Sequence, residues 1–379
     1  MSNIRRFLWC AALLWFCCDT IAAGVLHHYV FFNRDRERIR EKAFLETKAI
    51  EGAQLKYTWR QLEPEKDRYD FSAIREDLAF LSSHGKKLFV QLQDVSFDPS
   101  IVNVPRYLVQ DAEYNGGAGQ QYDEAKGIGE GWVARRWDRA VQERLHELFV
   151  ALGKEFDGRI EGINLAETAI GFGKSGRKFP QGFSFEGYRD AIIENMRALK
   201  RAFPTSVAMQ YANFMPGEWL PGDDKGYLRS VYTAARESKA GVGGPDLLPF
   251  RPGQLNHSYP LIRDAAGIVP TGIAVQDGNY EHKDPKTGKR VTIAGLVQFA
   301  NDNLKLNYIF WSAQEPFYAN ELIPFLQDQV KTTRNVRHLA QKTPIERTMQ
   351  SGDVHQYEVT LSTGHRLPEE KHRECKSLR

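Results

Sequence analysis

Short runs rich in β-branched and aromatic residues alternate with charged amphipathic stretches along most of the chain, and no other feature constrains the fold as much. Parallel strands need a crossover long enough to hold a helix, so a repeated strand, loop and helix pattern predicts a parallel sheet. Strands are predicted over residues 25–32, 54–59, 87–93, 160–166, 206–211, 242–248, 272–276 and 306–310. Helices are predicted over 72–84, 138–156 and 185–203, with a further charged helix starting at Arg34. Eight such units match one closed (β/α)8 barrel. A doubly wound sheet needs fewer strands and a glycine-rich phosphate turn, which the sequence does not contain.

The two ends of the chain read differently from the middle. Arg5 and Arg6 precede an apolar run from Phe7 to Cys18, and the small residues Ala22 and Ala23 follow, which is the pattern of an export signal covering residues 1–23. That run falls short of the roughly 20 apolar residues that span a bilayer, although an uncleaved anchor is the competing reading. Residues 24–341 are expected to form the barrel domain, and 342–379 a polar, flexible tail without apolar periodicity. The expected location is secreted or periplasmic, with no stable membrane association once the signal is removed. Three of the four cysteines, Cys10, Cys17 and Cys18, lie in the leader, so the exported chain keeps Cys375 alone and is expected to have no internal disulfide. Its stability must come from a core.

Composition narrows the partners. Against 51 basic residues stand 48 acidic ones, for a net charge of +3, and no basic stripe argues for nucleic acid. No metal or other cofactor is expected. His27 and His28 are adjacent, so on a strand they point to opposite faces, and neither an EF-hand nor a His-Glu-x-x-His pattern occurs. The longest interruption, residues 94–137, follows the third strand and contains Tyr114-Asn115-Gly116-Gly117-Ala118-Gly119. A loop of that length after a barrel strand overhangs the C-terminal mouth, where such barrels build their sites, so it is expected to cover the cleft.

Two stretches carry a family resemblance. The second strand runs into Trp59, then Leu62-Glu63-Pro64, then Tyr69-Asp70-Phe71-Ser72 before a helix. The fourth ends Ile163-Asn164-Leu165-Ala166-Glu167-Thr168. Both resemble the TIM-barrel glycoside hydrolase superfamily, whose strand order the chain follows from about residue 25 to 330. The resemblance implies an α/β fold with a single (β/α)8 TIM barrel and long loops at the strand ends. It also implies a carbohydrate substrate and a glutamic acid on strand four that protonates the leaving oxygen, here Glu167. Relatives carry Asn directly before that Glu; here Ala166 stands there and Asn164 comes two residues earlier. Ser72 is expected to cap its helix, and Trp59 to meet the substrate.

Relatives place a second carboxylate at the end of strand seven, where this chain reads Val275-Gln276-Asp277-Gly278. Asp277 is the nearest carboxylate and equally a good turn residue, while Gln276 at that place describes a dead nucleophile. After strand eight come Trp311, expected as the floor of a sugar subsite or else a core residue, and Glu315, a further candidate carboxylate. Gln91, Gln93 and Asp94 end strand three, Asn213 follows strand five and Tyr259 follows strand six. Amides and tyrosines both donate to and accept from sugar hydroxyls. The expected function is a secreted glycoside hydrolase using Glu167 with Asp277 or Glu315. The alternatives are a catalytically silent glycan-binding barrel, or a barrel enzyme of other chemistry, since this fold does not dictate function.

Overall fold

The computed structural model describes residues 25–33 and 35–329. The expected leader and tail lie outside the described residues. In chain order the strands are β1 (His27–Asn33), β2 (Ile50–Thr58), β3 (Lys87–Gln93), β4 (Ala118–Asp123), β5 (Ile128–Ala134), β6 (Gly162–Leu165), β7 (Val207–Tyr211), β8 (Gly241–Gly244), β9 (Thr271–Val275) and β10 (Tyr308–Ser312). All but β4 and β5 join in parallel, each beside its neighbour in sequence, and β1 closes on β10. This is a single (β/α)8 barrel, as the alternation predicts.

Where the strand limits differ from expectation, local chemistry explains it. The sixth barrel strand, β8, stops at Gly244 and does not reach residue 248, because Pro245 has no N–H to give the ladder. The charged helix expected from Arg34 is a 3-10 turn, Arg36–Arg40, followed by the five-residue helix Lys42–Glu46. The helix Ser72–Ser83 does begin at Ser72, but that serine does not cap it. The N-cap position is Phe71, which offers no side-chain acceptor, and Asp70 just before it accepts the Ser72 N–H at 3.0 Å. Asp138 likewise accepts from Ala140 and Val141 at the start of the helix Arg139–Phe156. That helix buries Val141, Leu145, Leu148, Phe149, Leu152 and Phe156, a stripe of three- and four-residue spacing that faces the sheet.

Inside the barrel, the lower layers are aromatic. Tyr29, Phe89, Met209, Tyr308 and Phe310 form one buried cluster, in which the Phe89 and Phe310 ring centroids lie 4.9 Å apart and their planes 72° apart. Glycines make the room: a Cβ on Gly162 would sit 2.7 Å from the Phe89 ring, and one on Gly52 would sit 2.6 Å from Tyr29. Above this plug lies an amide layer in which Gln54 Nε2 donates to Asn164 Oδ1 and Tyr211 Oη, both at 2.9 Å.

The long 94–137 segment is not structureless. It folds into the helix Arg106–Gln110 and the antiparallel hairpin of β4 and β5. Among the described residues no helix is long and apolar enough to cross a membrane.

Candidate functional site

Glu167 stands two residues beyond β6, and its backbone is pinned from several sides. Asp94 and Arg136 form a buried bidentate pair at 2.6 and 2.7 Å. From that anchor Arg136 donates to the Glu167 carbonyl at 3.0 Å and to Tyr188 Oη at 2.8 Å. The Tyr188 hydroxyl donates in turn to the Thr168 carbonyl at 3.0 Å. Thr168 donates through its N–H to the Tyr211 carbonyl and through Oγ1 to the Phe214 carbonyl, the latter at 2.7 Å. A buried charge pair satisfied in this way holds a backbone in place far better than it stabilises a fold.

The carboxyl group enters a cavity of about 530 Å³ at the C-terminal mouth. Asn213 Nδ2 donates to Glu167 Oε2 at 2.6 Å. Burial raises the Glu167 pKa to about 7 against the lowering effect of the Asn213 hydrogen bond; the charge of Asp246 adds to the rise, and Arg136 and Lys56 oppose it. Asp246 itself follows β8. Burial raises its pKa too, while the hydrogen bond from Asn279 Nδ2, at 3.1 Å, works the other way. Asn279 Oδ1 accepts from the backbone N–H groups of Leu247 and Gln276, both at 3.1 Å. One side chain thus ties the ends of the sixth and seventh barrel strands together and orients Asp246.

The structure gathers some of the expected residues and disperses others. Gln91, Gln93 and Gln276 line the cavity with Glu167, and Asn213 holds it. The Gln91 side-chain oxygen is buried and makes no hydrogen bond to another protein group. Asp94 is committed to Arg136. Asn164 is fully buried in the amide layer below the cavity.

The expected tryptophans are both structural. Trp59 is buried, with Nε1 donating to Glu63 at 2.8 Å; Trp311 is buried, with Nε1 donating to His28 Nδ1 at 3.0 Å. Tyr259 is buried as well, its hydroxyl donating to the Asp246 carbonyl and accepting from the Leu248 N–H. Asp277 is exposed and bonded by Ser312, and Glu315 is an exposed partner of Arg38 at 3.4 Å; neither lines the cavity. Of the long loop, Val95 to Asn103 contributes lining residues, whereas the Asn115 to Gly119 segment packs into the hairpin: a Cβ on Gly117 would lie 2.5 Å from the Leu108 carbonyl oxygen.

Sequence reasoning missed Asp246, Lys56 and Tyr211. The signal for Asp246 was there in Gly243-Gly244-Pro245-Asp246, where a proline ends a barrel strand just before a carboxylate. Among the described residues no group of three or more His, Cys, Asp or Glu side chains is placed to hold a metal ion.

No family model matches the chain, and no curated protein does. Solved structures do match. The chain is similar to xylanase 10B from Thermotoga petrophila RKU-1 in complex with xylobiose, at 12% identity and a TM-score of 0.48, over 82% of this chain and 94% of that one. Xylanase XynB from Paenibacillus barcinonensis, complexed with a conduramine derivative, is 13% identical with a TM-score of 0.42, over 75% of this chain and 84% of that one. Native xylanase 10B from Thermotoga maritima is 12% identical with a TM-score of 0.48, over 82% and 96%. The closed ring of eight parallel strands makes the chain a TIM barrel, and solved xylanases are among its structural neighbours. Identity this low says nothing about the reaction its own mouth supports.

Proposed function

We propose that the mouth cavity binds carbohydrate and that the protein is an exported glycoside hydrolase with Glu167 as its general acid. One observation carries the reading: a strand-end carboxyl group, held rigidly at a polar cavity, keeps its proton up to about pH 7. A glycosidic oxygen leaves as an alcohol only when a proton reaches it as the C1–O bond breaks, and Glu167 is the group with a proton to give. Asp246, the carboxylate whose charge helps to raise the Glu167 pKa, takes the second role and would accept the proton of the attacking water; its neighbour Pro245 lines the cavity, and Asp246 stands directly after it in the chain. Gln91, Gln93 and Gln276 supply donors and acceptors for sugar hydroxyls.

Incubation of the mature protein with a polysaccharide panel, read by reducing-end release, tests the proposal. New reducing ends that disappear with Glu167→Gln support it, and release unaffected by that change overturns it. A second reading, a silent glycan-binding barrel, is favoured by Gln276, an amide lining the cavity at the end of the seventh barrel strand. Binding of a glycan without release of ends on any substrate decides for it. Export is checked by intact mass: the mature chain should begin near Gly24, and a secreted form retaining residues 1–23 sinks that part.

A further inference from the structure

The loop between β7 and the helix Tyr227–Ser238 does more than supply Asn213 to Glu167. At its tip Trp219 is 60% exposed, the largest side chain of the molecule's described surface to be so open. Single exposed apolar residues are ordinary on a protein surface, so exposure alone decides nothing. The difference here is that the indole is held still. Its ring lies 5.6 Å from that of Phe214 with the planes 7° apart, and His257 packs across both at 4.4 and 4.8 Å.

The loop beneath is clamped at several points. Glu218, a buried carboxylate, accepts the N–H groups of Lys225, Tyr227 and Leu228. Trp219 and Asp223 exchange two backbone hydrogen bonds, at 2.9 and 2.8 Å. The Leu220 N–H donates to His257 Nε2 at 2.9 Å, while His257 Nδ1 donates to the Gly253 carbonyl at 2.8 Å, which fixes the neutral tautomer. Thr168, next to Glu167, holds the Phe214 carbonyl. A rigid aromatic face binds a ligand without first losing rotamer freedom, so more of the contact energy appears as affinity.

Barrel topology places this platform relative to the acid. β3 and β7 are the two neighbours of β6, so the loops after them flank Glu167 on either side. The loop after β3 carries Phe97, which is 63% exposed and lines the mouth cavity. The loop after β7 carries Trp219. The flat apolar face of a pyranose is the natural partner of an exposed ring, with its hydroxyls left to the amides between.

Resting on the carbohydrate reading above, we infer that Trp219 on Phe214 is a second sugar platform, and that the ligand is an extended glycan crossing Glu167 from Phe97 to Trp219. A monosaccharide or disaccharide fills only the cavity. A chain of several units reaches the indole.

The test uses the full mature protein with Glu167→Gln, which prevents turnover, titrated calorimetrically with the disaccharides and hexasaccharides of β-1,4-linked xylose, glucose, mannose and N-acetylglucosamine. The tightest hexasaccharide should bind roughly 5-fold or more weakly once Trp219→Ala is added, in line with the loss of one ring stack, while Trp219→Phe restores most of the affinity. Its disaccharide should be indifferent to either change. The hexasaccharide should also shield the exposed indole from acrylamide quenching, a signal that Trp219→Phe removes. Equal affinity of the hexasaccharide for the protein with and without Trp219→Ala overturns the platform and leaves the carbohydrate reading standing. A change in oligomeric state with glycan affinity unaltered overturns it in favour of a protein-contact surface. No binding of any of these sugars at millimolar concentration overturns the reading and the platform together.

Discussion

The lower barrel and its mouth are built from the same strands yet follow opposite rules. Along β3 the inward positions run Phe89, Gln91, Gln93; along β9, Gly272, Ala274, Gln276; along β10, Tyr308, Phe310, Ser312. Each of these runs thus passes from rings or small residues to polar side chains, while at the foot of β3 Lys87 pairs with Glu161. Rings fitted against glycines seal the lower part. The upper part holds a carboxyl group with a raised pKa, which costs stability in a protein that does nothing with it. Stability is gathered below and chemistry is left open above, and the difference teaches that a residue's height in the barrel matters as much as its type.

The largest effect should come from attacking the plug. Phe89→Ala removes a ring that meets Tyr29, Tyr308 and Phe310, and should lower the unfolding free energy by about 3–5 kcal/mol in urea titrations. A loss below about 1 kcal/mol would mean that the plug relaxes and the division between the two regions is weaker than drawn. Next comes Glu167→Gln, which should reduce turnover of unactivated glycans by roughly 100-fold or more while leaving the urea midpoint the same or higher. A clear fall in stability would move Glu167 from the working region to the structural one.

A smaller effect sharpens the comparison by pH. Glu167 holds its proton more tightly in the folded state, with its pKa raised from 4.5 to about 7, than in the unfolded chain. Its contribution to stability is therefore fully present below pH 4.5 and is lost as the pH rises through about 7. Thermal melts of the wild type should fall more steeply over that window than those of Glu167→Gln; parallel curves would show that the carboxyl is not perturbed. The smallest shift is the one that Asp246→Asn makes in the Glu167 titration. Removing the like charge should move the Glu167 titration to lower pH, as followed by carboxyl-resolved NMR, and an unmoved titration would disconnect the two groups.

Several differences between the expected and the observed site share one physical cause. On a strand, successive side chains alternate between the inside of the barrel and the helices outside it, so being one residue out reverses a side chain's fate. Gln93 faces in and Asp94 faces out toward Arg136; Gln276 lines the cavity and Asp277 does not; Ser312 follows the inward Phe310, and Trp311 between them packs outward on His28 and Tyr280. Asp94, Asp277 and Trp311 have the right chemistry at the right strand ends but lie on the wrong side of the alternation, whereas Trp59, Tyr259 and Glu315 lie beyond the strands, where parity does not decide. Asn164 has the right parity and the wrong height, spent on Gln54 below the cavity.

By itself the sequence determined the eight strands, their parallel order and the strand-end position of Glu167, because period-two and helical patterning are local and each unit repeats them. Only the tertiary structure decided which strand-end residues share the cavity. It set Asp246 against Glu167, turned the two expected tryptophans into core, and stood Trp219 exposed on its clamped loop. Those placements follow from the clamping of loops and from closure of the barrel, which brings together residues up to 283 apart, such as Trp311 and His28, and no local pattern encodes either.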